Sequence, residues 1–316
     1  MTRIAVTSHI FRILPQLRDE LLATYPECRF HEGALRMSED ELIEFLGDAE
    51  AALIGLHPIT DRVLTACPGL KVVAACSVGL DHIDPAAMRR HGVALGWKAG
   101  VNKVSVAELT ISMMISLLRR VHQYNLDLRE GRWPPDRMGL HLRGRTVGIH
   151  GCGNIGKELI RLLQPFGVRI LACDRRDFPE FYAEYGVTPV SAEELRASSE
   201  ILTIHLPKNS TTIGMYDDAA LGQIRPGAML VNTSRGGIVD EAALQPRLAD
   251  GRIAAAAFDV FAVEPPTDLT FAHMPNVLAT PHIGGSAREA WEAMARGGIL
   301  GVSDHYVPEP GVYPFD

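Results

Sequence analysis

Cysteine is scarce in this chain, and so are several other features that would mark a secreted, membrane-spanning or polyanion-binding protein. Five cysteines (Cys28, Cys67, Cys76, Cys152 and Cys173) stand among 316 residues, with no CxxC pair. An odd, scattered set fits a reducing compartment better than a disulfide framework. Most lie in apolar, strand-like stretches, where a buried free thiol is the ordinary state. Basic excess is absent too: 31 Lys and Arg face 38 Asp and Glu, for a net charge of −7. No global field draws nucleic acid or an acidic membrane. The most apolar segment, Val104–Leu118, is interrupted by Glu108 and several hydroxyl residues. It falls short of the roughly 20 residues a bilayer span needs and reads as a buried helix. The start, MTRIAVTSH, lacks the basic residues and apolar core of a signal peptide, so a cytoplasmic location is expected. HExxH, clustered Cys/His spacings and GxSxG are also missing. No metal is therefore expected, and no serine-hydrolase elbow. With 47% hydrophobic residues the chain can fill about two domain cores.

What the chain does have is centred on Val147–Gly156, VGIHGCGNIG. A short apolar strand runs into Gly151-x-Gly153-x-x-Gly156 and then into a helical stretch, Lys157–Phe166. That order is the dinucleotide-binding fingerprint. Gly151 permits the tight turn, Gly153 lets backbone approach a pyrophosphate, and Gly156 lets helix and strand pack closely. The helix N-terminus offers unpaired N–H groups and partial positive charge to the phosphates. Roughly 20 residues on, the strand Arg169–Cys173 ends in Asp174, where a carboxylate can bind adenosine ribose hydroxyls.

Elsewhere strands and helices alternate, which implies parallel sheets covered on both faces. In the first part the expected strands are Arg3–Thr7, Ala51–Leu56, Leu70–Ala75 and Val93–Trp97. Helices are expected at Phe11–Thr24, Thr60–Ala66 and Asp84–His91. No phosphate fingerprint occurs there. Asn102–Arg129 reads as one long helix, with Ala107, Ile111, Met114, Leu118 and Val121 forming an apolar stripe. It is stopped by Gly131-Arg132-Trp133-Pro134-Pro135, and Gly131–Gly144 reads as a surface excursion. From Val147 on, strands are expected at Val147–His150, Arg169–Cys173, Ile201–His205, Ala228–Asn232, Ala254–Phe258 and Val277–Thr280. About six strands make a complete doubly wound dinucleotide domain. His150 stands where an aliphatic residue is usual, and reads as a buried, hydrogen-bonded histidine.

Ligands of such sheets bind beyond the carboxyl ends of the strands. Polar or glycine-rich chemistry follows every strand of the second half, including Arg235, Asp259, Glu264 and His282. Hydride transfer to a 2-keto acid needs a cation for the substrate carboxylate, a proton donor for the carbonyl oxygen, and a group that keeps the donor charged. Arg235 can bind a carboxylate through its planar fork and polarise the carbonyl. His282 is the natural acid/base, and Glu264 beside it would favour imidazolium and hold its orientation.

The stretches GCGNIGKEL, VNTSRGGIVDEAAL, AAFDVFAVEPP and TPHIGGSARE resemble the signature segments of the D-isomer-specific 2-hydroxyacid dehydrogenases, and the similarity covers nearly the whole chain. The resemblance implies an α/β protein of two doubly wound parallel-sheet domains. Residues 1–98 and 286–316 would form a discontinuous, flavodoxin-like substrate-binding domain. Residues 99–285, the connecting helix included, would form a Rossmann-type NAD-binding domain. Arg235, Glu264 and His282 would be catalytic. Gly151, Gly153, Asn154, Ile155, Gly156, Asp174, His205, Pro207, Thr212, Thr233, Ser234, Asp259, Gly284 and Val106 would line the cofactor. Val78 and Gly79, in a segment similar to the family's substrate loop, would hold the substrate carboxylate through backbone N–H groups, with Asn102 and Arg235 also touching substrate. A homodimer is expected, with no nucleic-acid or membrane partner.

Within the family the sequence is most similar to phosphoglycerate dehydrogenases, especially from Gly96-Trp97 to Glu108. It departs from them after Ala51–Leu56, where an arginine for the phosphate is common and His57-Pro58-Ile59-Thr60 stands instead. The chain ends at Asp316, so the C-terminal regulatory domains of longer members are not expected. Asp174 would repel the 2′-phosphate of NADP and favours NAD, although Arg175 and Arg176 follow at once. The expected activity is hydride transfer between NAD(H) and a D-2-hydroxy acid, with 3-phosphoglycerate, hydroxypyruvate or glyoxylate as candidate substrates. Two alternatives stand beside it: an NAD-sensing scaffold of the corepressor type, and an NADP-preferring glyoxylate/hydroxypyruvate reductase.

Overall fold

The computed structural model describes residues 2–34 and 36–315. The chain forms two compact units, one reaching to Asn102 and resuming at Ser286, the other spanning Lys103–Gly285. The first unit runs β1 (Ile4–Val6), α1 (Ile10–Ile13), α2 (Pro15–Thr24), β2 (Cys28–Phe30), α3 (Glu39–Leu46), β3 (Ala51–Ile54), α4 (Asp61–Ala66), β4 (Val72–Ala75), α5 (Pro85–His91) and β5 (Ala94–Gly96). Its strands pair parallel in the order β2-β1-β3-β4-β5. Every residue of β1, β3, β4 and β5 is buried, as expected of strands covered on both faces.

Three features of this unit differ from the sequence reading. The helix expected over Phe11–Thr24 is two helices, because Leu14 leaves the helical region just before Pro15, where the proline ring disfavours continuation. β2 was not expected; it is a half-exposed edge strand whose Cys-Arg-Phe carries no apolar run. α3 was missed as well. Only Leu42 and Leu46 of it are buried, but Ser38 and Glu41 form a reciprocal capping box, a signal legible in sequence.

The second unit begins with α6 (Lys103–Arg119) and α7 (Val121–Arg129). The single helix expected here breaks at Arg120, which takes a left-handed φ of 54°. α7 buries none of its residues, and Val121 is exposed rather than part of the apolar stripe. Next come β6 (Thr146–His150), α8 (Asn154–Leu163), a 3-10 turn (Gln164–Phe166), β7 (Arg169–Cys173), α9 (Pro179–Tyr185), β8 (Thr188–Pro189), α10 (Ala192–Ser198) and β9 (Ile201–Ile204). α11 (Asp218–Gly222), β10 (Ala228–Asn232), α12 (Glu241–Ala249), β11 (Ile253–Phe258) and β12 (Val277–Ala279) complete the unit. Seven parallel strands lie in the order β12-β11-β10-β9-β6-β7-β8. The sequence anticipated six of them; β8 is two exposed residues, Thr188 and Pro189. From β6 the chain builds the sheet one way through β7, and from β9 it builds the other way. The switch point therefore falls between β6 and β9, where a ligand crevice opens in such sheets.

The last helix, α13 (Arg288–Gly301), belongs to the first unit. Its glycines let it lie directly on the sheet. A Cβ on Gly96 of β5 would come 2.1 Å from the Gly301 carbonyl oxygen. All five cysteines are free, and no described helix is long and apolar enough to cross a membrane.

Candidate active site

The glycine loop is shaped by contacts on one side and open space on the other. Gly151 has a φ of 100°, and a Cβ on it would lie 2.5 Å from the His205 carbonyl oxygen. A Cβ on Gly156 would lie 2.2 Å from the Gly151 carbonyl oxygen. Backbone packing thus demands glycine at both positions. Around Gly153 a Cβ would meet nothing within 4 Å. Gly153 is also the N-cap of α8 and gives the helix no side-chain cap, so no side chain takes up the first N–H groups of the helix. Asp174, just beyond β7, is tied to this loop: its Oδ2 accepts from the Cys152 N–H at 2.6 Å and its Oδ1 from the Arg176 N–H at 2.8 Å. A cradle with no side chain, a bare helix N-terminus and an adjacent carboxylate fit the adenosine diphosphate half of a dinucleotide.

After β9, burial pushes the His205 imidazole down to about 3. The ring is therefore neutral. Its Nε2 meets the Thr203 hydroxyl at 2.9 Å, while its buried Nδ1 has no hydrogen-bond partner among the described residues. The Thr212 hydroxyl donates to the Pro207 carbonyl at 2.6 Å and accepts from the Asn209 N–H at 2.9 Å. It holds the loop that carries Pro207. His150 is buried as expected, with Nδ1 2.7 Å from the Tyr216 hydroxyl. Burial lowers its imidazole to about 4.

Beyond β10 the chain turns sharply around Asn232. The Asn232 Oδ1 accepts from the Ser234 N–H and hydroxyl, at 3.1 and 2.8 Å, and its Nδ2 donates to the Arg235 carbonyl at 3.0 Å. Both ends of the short turn that presents Arg235 are thereby fixed. Gly236 follows, and a Cβ on it would sit 1.7 Å from the Phe261 carbonyl oxygen. The Arg235 turn and the Phe261 segment are in direct backbone contact. Phe261 in turn donates its N–H to Glu264 Oε1 at 3.0 Å.

Glu264 Oε2 lies 2.7 Å from His282 Nδ1. Burial pulls the Glu264 carboxyl upward. The His282 and Phe261 hydrogen bonds, with the charges of His282 and Arg235, outweigh that and hold it below the usual range. It is therefore an anion at neutral pH. His282 has a left-handed φ of 54°, a conformation most side chains avoid. Asp259 holds it there. Its carbonyl accepts from the His282 N–H at 2.8 Å. Its carboxylate accepts from the Thr280 hydroxyl at 2.6 Å, the Ile283 N–H at 2.8 Å and the Gly284 N–H at 2.7 Å. Asp259 is wholly buried, and burial outweighs these bonds to raise its carboxyl.

The start of α6 reaches the same region. Ser105 donates to the Gly284 carbonyl at 2.6 Å, and the Thr110 and Thr233 hydroxyls are 2.9 Å apart. The Val106 side chain would meet a Cβ on Gly284 at 3.6 Å.

The second unit thus brings Glu264 and His282 into contact and Arg235 into electrostatic reach of Glu264. It gathers Asp259, Thr233, Gly284 and Val106 around them. Val78, Gly79 and Asn102 belong to the first unit. Sequence reasoning passed over Asn232 and Thr280, whose side chains fix turns, Phe261, which acts through its backbone N–H, and Gly236, which permits a close approach. Only Asn232, an Asx residue at the end of β10, carried a local signal.

Residues 111–284 match the family model described as "D-isomer specific 2-hydroxyacid dehydrogenase, NAD binding domain". The chain belongs to this family, and its second unit carries the NAD-binding domain. A D-3-phosphoglycerate dehydrogenase of Rattus norvegicus is 37% identical over 275 residues, which is 84% of this chain and 52% of that protein. The chain spans about half the length of the curated relatives it matches. A protein of Polaromonas sp. JS6 66, described as a D-isomer specific 2-hydroxyacid dehydrogenase, NAD-binding, superposes with a TM-score of 0.88 at 28% identity, over 96% of both chains. An NAD-dependent formate dehydrogenase of Staphylococcus aureus, solved in complex with NAD, superposes with a TM-score of 0.80 at 26% identity, over 96% of this chain and 95% of its own.

Proposed function

We propose that the protein is an NAD-dependent D-2-hydroxyacid dehydrogenase in which Arg235, Glu264 and His282 carry the chemistry. One observation carries this reading: the 2.7 Å contact between His282 Nδ1 and an ionised Glu264, with Arg235 close enough to bias that carboxylate. An anion at Nδ1 keeps the proton there and leaves Nε2 as the atom that gives or takes the substrate proton. In the reducing direction Nε2–H donates to the carbonyl oxygen of a 2-keto acid. The Arg235 guanidinium binds the carboxylate and draws charge from the carbonyl. NADH, when bound, supplies the hydride. The glycine loop (Gly151, Gly153, Asn154, Ile155, Gly156), Asp174, His205, Pro207, Thr212, Thr233, Ser234, Asp259, Gly284 and Val106 are assigned to the cofactor. In the first unit, the substrate-binding domain of this reading, the Val78 and Gly79 N–H groups and Asn102 are assigned to the substrate.

The relatives named D-3-phosphoglycerate dehydrogenase support 3-phosphohydroxypyruvate as the first substrate to try, followed by hydroxypyruvate and glyoxylate. Free thiols at all five cysteines support a reducing, cytoplasmic setting. A homodimer is supported by the exposed Val121, Leu126, Leu128, Trp133 and Met138 of α7 and the segment after it; light scattering that gives a monomer mass would remove it.

The reading is tested by following NADH and NADPH oxidation with those three acids and pyruvate. Turnover with NADH is expected for at least one. It should fall by about a hundredfold or more in Arg235→Ala, with NADH affinity retained. No turnover with any acid, or an Arg235→Ala variant as active as the parent, ends it.

A further inference from the structure

The loop after β4, residues 76–80, is held in a way that the reaction does not by itself explain. Two consecutive carbonyls in it are each taken by a side-chain donor. The Trp97 indole Nε1–H donates to the Val78 carbonyl at 3.2 Å, and the Ser77 hydroxyl donates to the Gly79 carbonyl at 3.0 Å. No described acceptor takes the backbone N–H of Val78 or Gly79. In a planar trans peptide the C=O and N–H of one unit point in opposite directions. Fixing the Val78 carbonyl therefore fixes the direction of the Gly79 N–H, and fixing the Gly79 carbonyl does the same for Leu80.

The indole is itself braced. Trp97 directly follows β5, packs against one of the two apolar cores of the first unit, and lies 5.8 Å from the Tyr313 ring, centroid to centroid. Two residues earlier, Leu95 exchanges both backbone hydrogen bonds with Tyr306, at 2.7 and 3.1 Å. The segment from Tyr306 to Tyr313 is thus tied both to β5 and to the ring. The indole N–H is set by β5 and by this strap, not by the loop it holds.

We propose that Trp97 is a positioning residue for the substrate carboxylate. By holding the Val78 carbonyl from behind, it aims the Gly79 N–H outward before any anion arrives. The inference rests on the assignment of Val78 and Gly79 to the carboxylate. A donor aimed in advance spares the binding anion the cost of ordering the loop. Loss of the indole N–H should weaken carboxylate binding and leave the chemistry of Arg235, Glu264 and His282 untouched.

Two variants test this in the full chain. Trp97→Phe removes the donor and part of the ring. Trp97→benzothienylalanine keeps the ring shape and the Tyr313 contact and removes only the N–H. Each is compared with the parent for kcat, for KM toward the best 2-keto acid, for inhibition by oxalate, and for NADH affinity by fluorescence. Both variants should raise KM and the oxalate inhibition constant about three- to tenfold, the worth of one ordinary hydrogen bond, with kcat and NADH affinity within about twofold. An unchanged KM and oxalate constant in the benzothienylalanine variant overturns the inference. So does a loss of kcat and NADH affinity alongside the rise in KM, which would mark general disruption of the fold. A parent protein that reduces no 2-keto acid overturns the functional reading, and the role of Trp97 with it. Normal parent turnover with an indifferent Trp97 overturns only the latter.

Discussion

Three buried or half-buried ionisable groups at the second unit's ligand edge are tuned in different directions by their surroundings. Glu264 is held anionic by hydrogen bonds from His282 and Phe261 and by the nearby Arg235 guanidinium, against the pull of burial. Asp259, raised by complete burial, spends both carboxylate oxygens on the turn that carries His282. His205 is kept neutral by burial alone. His150 and His205 have a consequence for stability. Both take protons less readily in the folded chain than the ordinary histidine value of 6.5, so the unfolded chain binds protons first as pH falls. Their contribution is complete above about 6.5 and is lost progressively toward about 4 for His150 and about 3 for His205. The melting temperature should therefore decline from pH 7 to pH 5. His150→Gln, which keeps an acceptor for the Tyr216 hydroxyl, should flatten the accompanying decline in unfolding free energy by on the order of 1 kcal/mol per pH unit. An identical slope in parent and variant would show that His150 does not titrate in this window.

At the scale of elements, the site depends on how closely two loops approach. The Arg235 turn and the Phe261–Glu264 segment touch through backbone at Gly236. Gly236→Ala places a methyl where the Phe261 carbonyl oxygen stands, so one segment must move. We expect a fall in kcat/KM of about a hundredfold and a loss of about 1–3 kcal/mol in stability, with NADH binding weakened less because the Gly151–Gly156 loop follows β6, two strands away from β10. Full activity would mean that the segments yield freely. Such an approach was not legible in the sequence. The glycine fingerprint, Asp174 and the residues after each strand were, because they sit at fixed offsets from apolar runs. β2 and the break at Arg120 were not, and α3 was announced only by its Ser38–Glu41 capping box. Their cause lies in edge position, a thin apolar face and a left-handed residue with no glycine to announce it. The contact of Glu264 with His282 joins residues 18 apart in sequence across a loop, and only the task of the site, not any spacing rule, suggested it.

At the scale of the molecule, two parallel sheets of five and seven strands divide the work. The glycine loop, Asp174, Arg235, Glu264 and His282 all stand in Lys103–Gly285. Val78, Gly79 and the Trp97 indole that holds the Val78 carbonyl stand in the other unit. Within the second unit the glycine loop follows β6 and His282 follows β12, so NADH binding and proton delivery should separate by mutation. The most direct test is a single-turnover measurement on His282→Ala, mixed with NADH and the best 2-keto acid. NADH fluorescence reports binding first, and its loss reports hydride transfer second. The account predicts NADH affinity within about threefold of the parent and hydride transfer slowed by about a thousandfold, in keeping with loss of a general acid. Hydride transfer at the parent rate in the absence of the imidazole would contradict it.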